Sequence, residues 1–161
     1  MQRGRVPTLL SEFASDGPKR ELVTGCTYKP LIPNFPLVDG SFVVEGVGPN
    51  TIVLLQVTKA KEHHTKRTTV RKFRQCMGKA FERREKVEKA CGWETMNVQH
   101  VDSGSIKKRW KCSSSGDGVN DTDLALWGRT NQYHVTLNRD IANKFMGYKD
   151  DTFEPITNDS R

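Results

Sequence analysis

Two short apolar runs, residues 41–47 and 51–58, stand out in an otherwise polar chain. The first is rich in β-branched and aromatic residues and stops at Gly48-Pro49-Asn50, a turn signal. The second is almost continuously apolar, the pattern of a strand buried on both faces. Together they predict a hairpin whose second strand is central. From Thr69 to Cys91 the spacing becomes helical. Val70, Phe73, Met77, Ala80 and Phe81 share one face, Val87 and Cys91 extend it, and Gly92 stops it. Residues 94–101 read as a strand, and Asp121 or Thr122 caps a short helix through Trp127. Residues 132–137 set Tyr133, Val135 and Leu137 against Gln132, His134 and Thr136, a strand with one buried face.

The flanking segments are less regular. Residues 1–20 read as a flexible lead, with a short helical turn at Thr8-Leu-Leu-Ser-Glu-Phe. The three prolines of Tyr28-Lys-Pro-Leu-Ile-Pro-Asn-Phe-Pro predict an extended, irregular stretch. Residues 102–121 are rich in Ser and Gly and read as a loop, and residues 149–161 as a disordered acidic tail. The folded domain is therefore expected over residues 21–148. Its order of hairpin, long helix, strand, helix and strand predicts an α/β domain around a small mixed sheet flanked by helices.

At 161 residues the chain suits one domain with a modest core. No apolar run nears the roughly 20 residues that a membrane helix needs, and the N-terminus has no signal-peptide apolar region. An intracellular protein is the expectation. Cys26, Cys76, Cys91 and Cys112 form no Cys-x-x-Cys pair, so reduced and mostly buried thiols are expected rather than a zinc or redox motif.

Charge changes the picture through its distribution. Residues 59–89 hold twelve Lys or Arg against four Glu, a surplus of eight, so the rest of the +7 chain sums to about −1. Such a segment favours an anionic partner, most commonly nucleic acid, though a solubilising helix face has the same composition. The candidate phosphate contacts are Lys66, Arg67, Arg71, Lys72, Lys79 and Arg83. A second cluster, Lys107, Lys108 and Arg109 with Trp110 beside them, has the makings of a base-stacking or nuclear-import patch.

The hairpin also carries the outline of a metal site. Asp39 precedes its first strand, and Gln56 and Thr58 share a face of the second, with Lys59 on the other side. Metal-dependent phosphodiester cleavage uses an acid on one strand and an acid-x-lysine pair on its neighbour. Here Asp39 supplies the first acid, while Gln56 and Thr58 occupy the acid and lysine places. A glutamine offers a metal only an uncharged carbonyl oxygen, and a threonine cannot replace the lysine. Lys59 reaches that face only through a bulge, Lys61, His63 or His64 could stand in for it, and Glu45 is a possible second carboxylate. Asp39 and Gln56 are thus the metal candidates and Asp39, Gln56, Thr58 and Lys59 the catalytic ones, with Mg²⁺ as cofactor if the site is active. The alternative is a plain strand-entry turn with polar strand ends. His100 and His134 read as structural or surface positions.

Pro33-Asn-Phe-Pro-Leu-Val-Asp-Gly-Ser-Phe, followed by Asn50-Thr-Ile-Val-Leu-Leu-Gln-Val-Thr-Lys-Ala-Lys-Glu-His-His, closely resembles the C-terminal region of trypanosomatid retrotransposon hot spot (RHS) proteins, a large multigene family. The similarity extends through Val70-Arg-Lys-Phe-Arg and Val98-Gln-His-Val-Asp to Gln132-Tyr-His-Val. The pattern Pro-x-x-Asp, then Gln-x-Thr and a histidine, is also similar to the nuclease-like domains of Crinkler-type effectors. The resemblance implies a restriction-endonuclease-like core, with Pro36 and Asp39 matching the first motif, Gln56 and Thr58 the second, and His63 or His64 the last. It implies a nucleic-acid-associated, nuclear role with weak or absent cleavage. An active Mg²⁺-dependent nuclease and a protein-interaction module are the alternatives. Longer members carry a P-loop NTPase region, and no Gly-x-x-x-x-Gly-Lys-Ser/Thr occurs here, so the chain reads as a fragment corresponding to their C-terminal part.

Overall fold

The structure is a computed structural model and describes residues 7–60, 64–103, 106–113, 122–138 and 140. In chain order the strands are β1 (Leu9–Phe13), β2 (Cys26–Pro30), β3 (Gly40–Val44), β4 (Thr51–Val57), β5 (Thr65–Lys66), β6 (Gly92–His100), β7 (Cys112–Ser113) and β8 (Asn131–Leu137). The helices are α1 (Arg67–Ala80) and α2 (Arg84–Ala90), between β5 and β6, and α3 (Thr122–Arg129), between β7 and β8. Six strands form a mixed sheet in the order β1-β2-β3-β4-β6-β8, and β5 pairs with β7 separately. β2, β3 and β4 are an antiparallel meander, whereas β4, β6 and β8 run parallel. The fold is thus the mixed-sheet α/β domain that the pattern predicts.

β4 is central because it is apolar on both faces: Ile52, Val53 and Leu54 are all buried. Ile52 and Leu54 join Trp93, Val43, Tyr28 and Phe13 in one core layer with the helices, packed on Val70, Phe73, Met77 and Ala80 of α1 and on Leu126 and Trp127 of α3. Those four α1 residues are the face that the helical spacing marks. Phe73 stands edge-on to Phe35 and to Trp93, so α1 is keyed to β6 and to the segment before β3. The β3–β4 turn needs Gly46, where a Cβ would come within 2.7 Å of the Pro49 carbonyl.

Several expectations are corrected. Leu9–Phe13 is an edge strand, parallel to β2, rather than a helical turn. Cys26–Pro30 is likewise a regular strand, with Pro30 at its end and Pro33 and Pro36 in the loop beyond. All four cysteines are free, but only Cys26 is fully buried. In β8 the polar residues Gln132 and His134 face the helix layer and Tyr133 is half exposed, the reverse of the apolar-in reading. The 149–161 tail, residues 1–6 and half of the 102–121 loop lie outside the described residues, as do Lys61, His63 and Asp121.

The long helix is two helices. After Ala80 the backbone of Phe81 and Glu82 bridges to Arg20: Arg20 N–H donates to the Ala80 carbonyl and Glu82 N–H to the Arg20 carbonyl, at 2.9 and 2.8 Å. Phe81, 1% exposed, is thereby turned between Phe13 and Tyr28. Arg83 absorbs the reversal with a left-handed φ of 49°. Such a φ costs a non-glycine residue on the order of 1 kcal/mol. Arg83→Gly is therefore expected to raise stability by about 0.5 kcal/mol, net of glycine's greater unfolded-state entropy. Urea unfolding measures it, and a destabilised variant would show that the Arg83 side chain outweighs its strained backbone.

Candidate nucleic-acid interface

The residues of the hairpin motif come together at one end of the meander. Asp39 N–H donates to the carbonyl of Leu55, the register partner of Gly40, at 2.8 Å, which places Asp39 just outside β3 at the end of β4. Its carboxylate Oδ2 accepts the Val57 N–H at 2.7 Å. The approach to it is strained, because Leu37 has a φ of 73° directly after Pro36. Thr58 continues the pairing with β6 through its N–H on the Val98 carbonyl, and its Oγ1 accepts the Ala60 N–H. Lys59 is exposed beyond the strand end. Glu45 lies past the other end of β3, about 20 Å along the strand from Asp39. Its carboxylate accepts the Thr24 hydroxyl, so it is not a second carboxylate for this site. His64 is exposed.

The register continues this row across the sheet. Gln56 pairs with Asn97, and Asn97 with His134, so these three occupy one line across β4, β6 and β8. At about 4.8 Å per strand the line is some 10 Å long, with Asp39 near its β4 end. Thr95 and Gln99 flank Asn97 on the same face of β6, and all three are at most 2% exposed. Asn97 Nδ2 donates to the Tyr133 carbonyl and Gln99 Nε2 to the Ala60 carbonyl, which fixes how both amides point. Their oxygens, together with Gln56 Oε1, Thr95 Oγ1 and His134 Nε2, are closed off and have no hydrogen-bond partner among the described residues. This is a buried row of uncharged acceptors, which calls for bound water or a donor-bearing ligand.

The row does not suit Mg²⁺. That ion prefers carboxylates, but the row has Asp39 near its end, which already accepts a backbone N–H. No group of three His, Cys, Asp or Glu side chains that could hold a metal occurs among the described residues. No step through a metal is therefore derived.

A cavity of about 460 Å³ opens beside the row at the β8 edge. Its lining includes Asn97, Gln132, His134, Lys107, Lys108 and Arg109. No family model, no curated protein and no solved structure is similar to this chain.

The loop carrying Lys107 is built for this position, with a division of labour the residue types do not reveal. Arg109 donates through Nη2 to the carbonyls of Trp127, Gly128 and Thr130, closing the C-terminus of α3. Trp110 is 3% exposed and belongs to the core, so it cannot stack on a base. Gln132 clamps the Trp110 backbone from both sides, accepting its N–H at 2.9 Å and donating to its carbonyl at 3.0 Å. Lys107 and Lys108 are left exposed on the cavity wall.

The other basic residues separate in the same way. Lys66, Lys72, Lys79 and Arg83 are exposed, but the α1–α2 break removes the single continuous face expected of them. Arg71 pairs through Nε with Asp123 at 3.0 Å, and Arg67 lies nearby on the wall of a second cavity. Arg74, absent from the sequence-based set, is the centre of this region. It donates to both oxygens of Glu88 and, through Nη1, to Asp123 and Thr122. Arg84 also pairs with Glu88. The signal that could have found this network is the i, i+3 spacing of Arg71 and Arg74 on α1. Their acidic partners on α2 and α3 are not visible as a pattern.

Proposed function

We propose that this chain is a nucleic-acid-binding domain of RHS type with a restriction-endonuclease-like ancestry and weak or no cleavage. The observation that carries this reading is the cavity at the β8 edge, whose lining includes the exposed Lys107 and Lys108. Two ammonium groups suit phosphates. The ancestry is supported by Asp39 lying at the end of β4, with its carboxylate on the N–H of Val57 next to Gln56. Weak cleavage follows from chemistry: Gln56 brings no charge to a metal, and Lys59 sits beyond the strand end.

The test is fluorescence anisotropy with single- and double-stranded DNA and RNA across a salt series. Lys107→Gln/Lys108→Gln should weaken binding severalfold and lower the slope of log affinity against log salt by about 1.5 to 2. In parallel, nicking assays with Mg²⁺ or Mn²⁺ should show little activity, and any that survives Asp39→Ala belongs elsewhere. Binding that is undetectable or indifferent to salt would remove the reading and leave a protein-interaction module.

A further inference from the structure

We infer that the cavity between the start of α1 and the start of α3 is a phosphate-binding site, separate from the lysine-walled cavity at β8. It measures about 320 Å³ and is lined by Arg67, Arg71, Arg74, Arg84, Thr122 and Asp123. Four guanidiniums in one lining are costly to assemble unless an anion offsets them. Two carboxylates do so in part. Glu88 binds Arg74 and Arg84, and Asp123 binds Arg71 and Arg74. Both acids are nearly closed to solvent, at 12% and 6% exposure, and are engaged by these arginines, so they hold the cluster rigid rather than repel an incoming anion.

The donors left over point to a phosphate. Arg74 is committed through Nε, Nη1 and Nη2. Arg71 is engaged only through Nε among the described residues, and its side chain is 48% exposed, so its terminal N–H groups remain for a ligand. That planar fork fits two phosphate oxygens at once. Arg84 is engaged only through Nη2 among the described residues. The backbone adds to the field. Arg67 and Thr122 are the first residues of α1 and α3, so two helix N-termini meet the cavity. The α1 end has no side-chain cap and no acid in its first turn, leaving that end for an external anion.

The nucleic-acid reading bears on this inference only as a source of the phosphate. A free phosphate, a nucleotide or the 5′ end of an oligonucleotide would present the same group. Isothermal titration with inorganic phosphate at constant ionic strength tests the site directly, and 5′-phosphorylated against 5′-hydroxyl oligonucleotides identify the source. Arg71→Gln should weaken phosphate binding at least tenfold. Arg71→Lys, which keeps the charge and loses the fork, should lie between, and it serves if the glutamine variant fails to fold. Phosphate binding that Arg71→Gln and Arg71→Lys retain in full, or no binding by the wild-type protein beyond that of chloride, overturns the site. Oligonucleotide binding that persists alongside such a result leaves the lysine-walled cavity standing. Phosphate binding lost in Arg71→Gln without any oligonucleotide binding retains this site and removes the nucleic-acid reading.

Discussion

Arg74→Met is expected to destabilise the domain by about 3 kcal/mol, near the lower end for breaking a buried ion pair. The Arg74 side chain is 18% exposed and lies between two carboxylates that are more buried still. Methionine keeps most of the stem packing but withdraws four hydrogen bonds at once, two from Glu88 and one each from Asp123 and Thr122. Arg84 remains on Glu88 and Arg71 on Asp123, which keeps the loss from reaching the 5 kcal/mol of a fully orphaned charge. A double-mutant cycle in urea with Glu88→Gln isolates the coupling between Arg74 and Glu88. A loss below about 1 kcal/mol would mean that solvent screens the network and that it behaves as a surface pair.

The same network sets the acid limit of stability. Burial pushes the Asp123 carboxyl upward, but hydrogen bonds and charge from Arg74 and then Arg71 outweigh it and hold the group below the usual carboxylate range. A carboxyl depressed in the folded state contributes stability above its unfolded value of about 3.9 and loses it as pH falls through the folded value. Wild-type stability should therefore decline from about pH 4 downward. In Arg74→Met that decline should be shallower, since the largest source of the depression is gone.

The main architecture was legible where one pattern admits one answer. Val70, Phe73, Met77 and Ala80 repeat at helical spacing and are the buried face of α1. The break after Ala80 was not legible, because Phe81 fits the same spacing. What removes it from the helix is the main chain of Arg20, a contact with no local signature. β1 was missed because Leu9 and Leu10 are 66% and 65% exposed, so the strand is held by main-chain pairing rather than by an apolar face. Trp110 looked like a stacking residue among lysines, yet only its neighbours are on the surface. The acceptor row was hidden for a related reason. Alternating polar residues on β8 read as a solvent face, and only the sheet order turns that face toward the helices. The motif was different: strand parity alone separates Gln56 from Lys59, and Asp39 meets the same strand end through its carboxylate on the Val57 N–H.

That parity gives the sharpest test of ancestry, the behaviour of Gln56→Glu. The substitution keeps the side-chain length and places a carboxylate near Asp39, in line with the buried Asn97. Among the described residues Gln56 Oε1 is closed off and has no donor, so a charge there meets no compensation. At pH 7 the variant should lose about 2–3 kcal/mol, the scale of a half-buried, unpaired carboxylate close to another acid. Such a carboxyl has its folded value raised, so the penalty sets in above about pH 4 and vanishes below it. The urea midpoint of the variant should therefore approach the wild-type value as the solution is acidified. If the row descends from a metal site, two adjacent carboxylates restore what an ion needs. Mn²⁺ or Mg²⁺ should then raise the midpoint of Gln56→Glu and leave both the wild-type protein and Gln56→Glu/Asp39→Ala unmoved. A variant as stable as wild type at pH 7 would show that water already fills the row. A penalty that no divalent ion relieves would remove the metal-site ancestry and leave Asp39 as the cap on Val57.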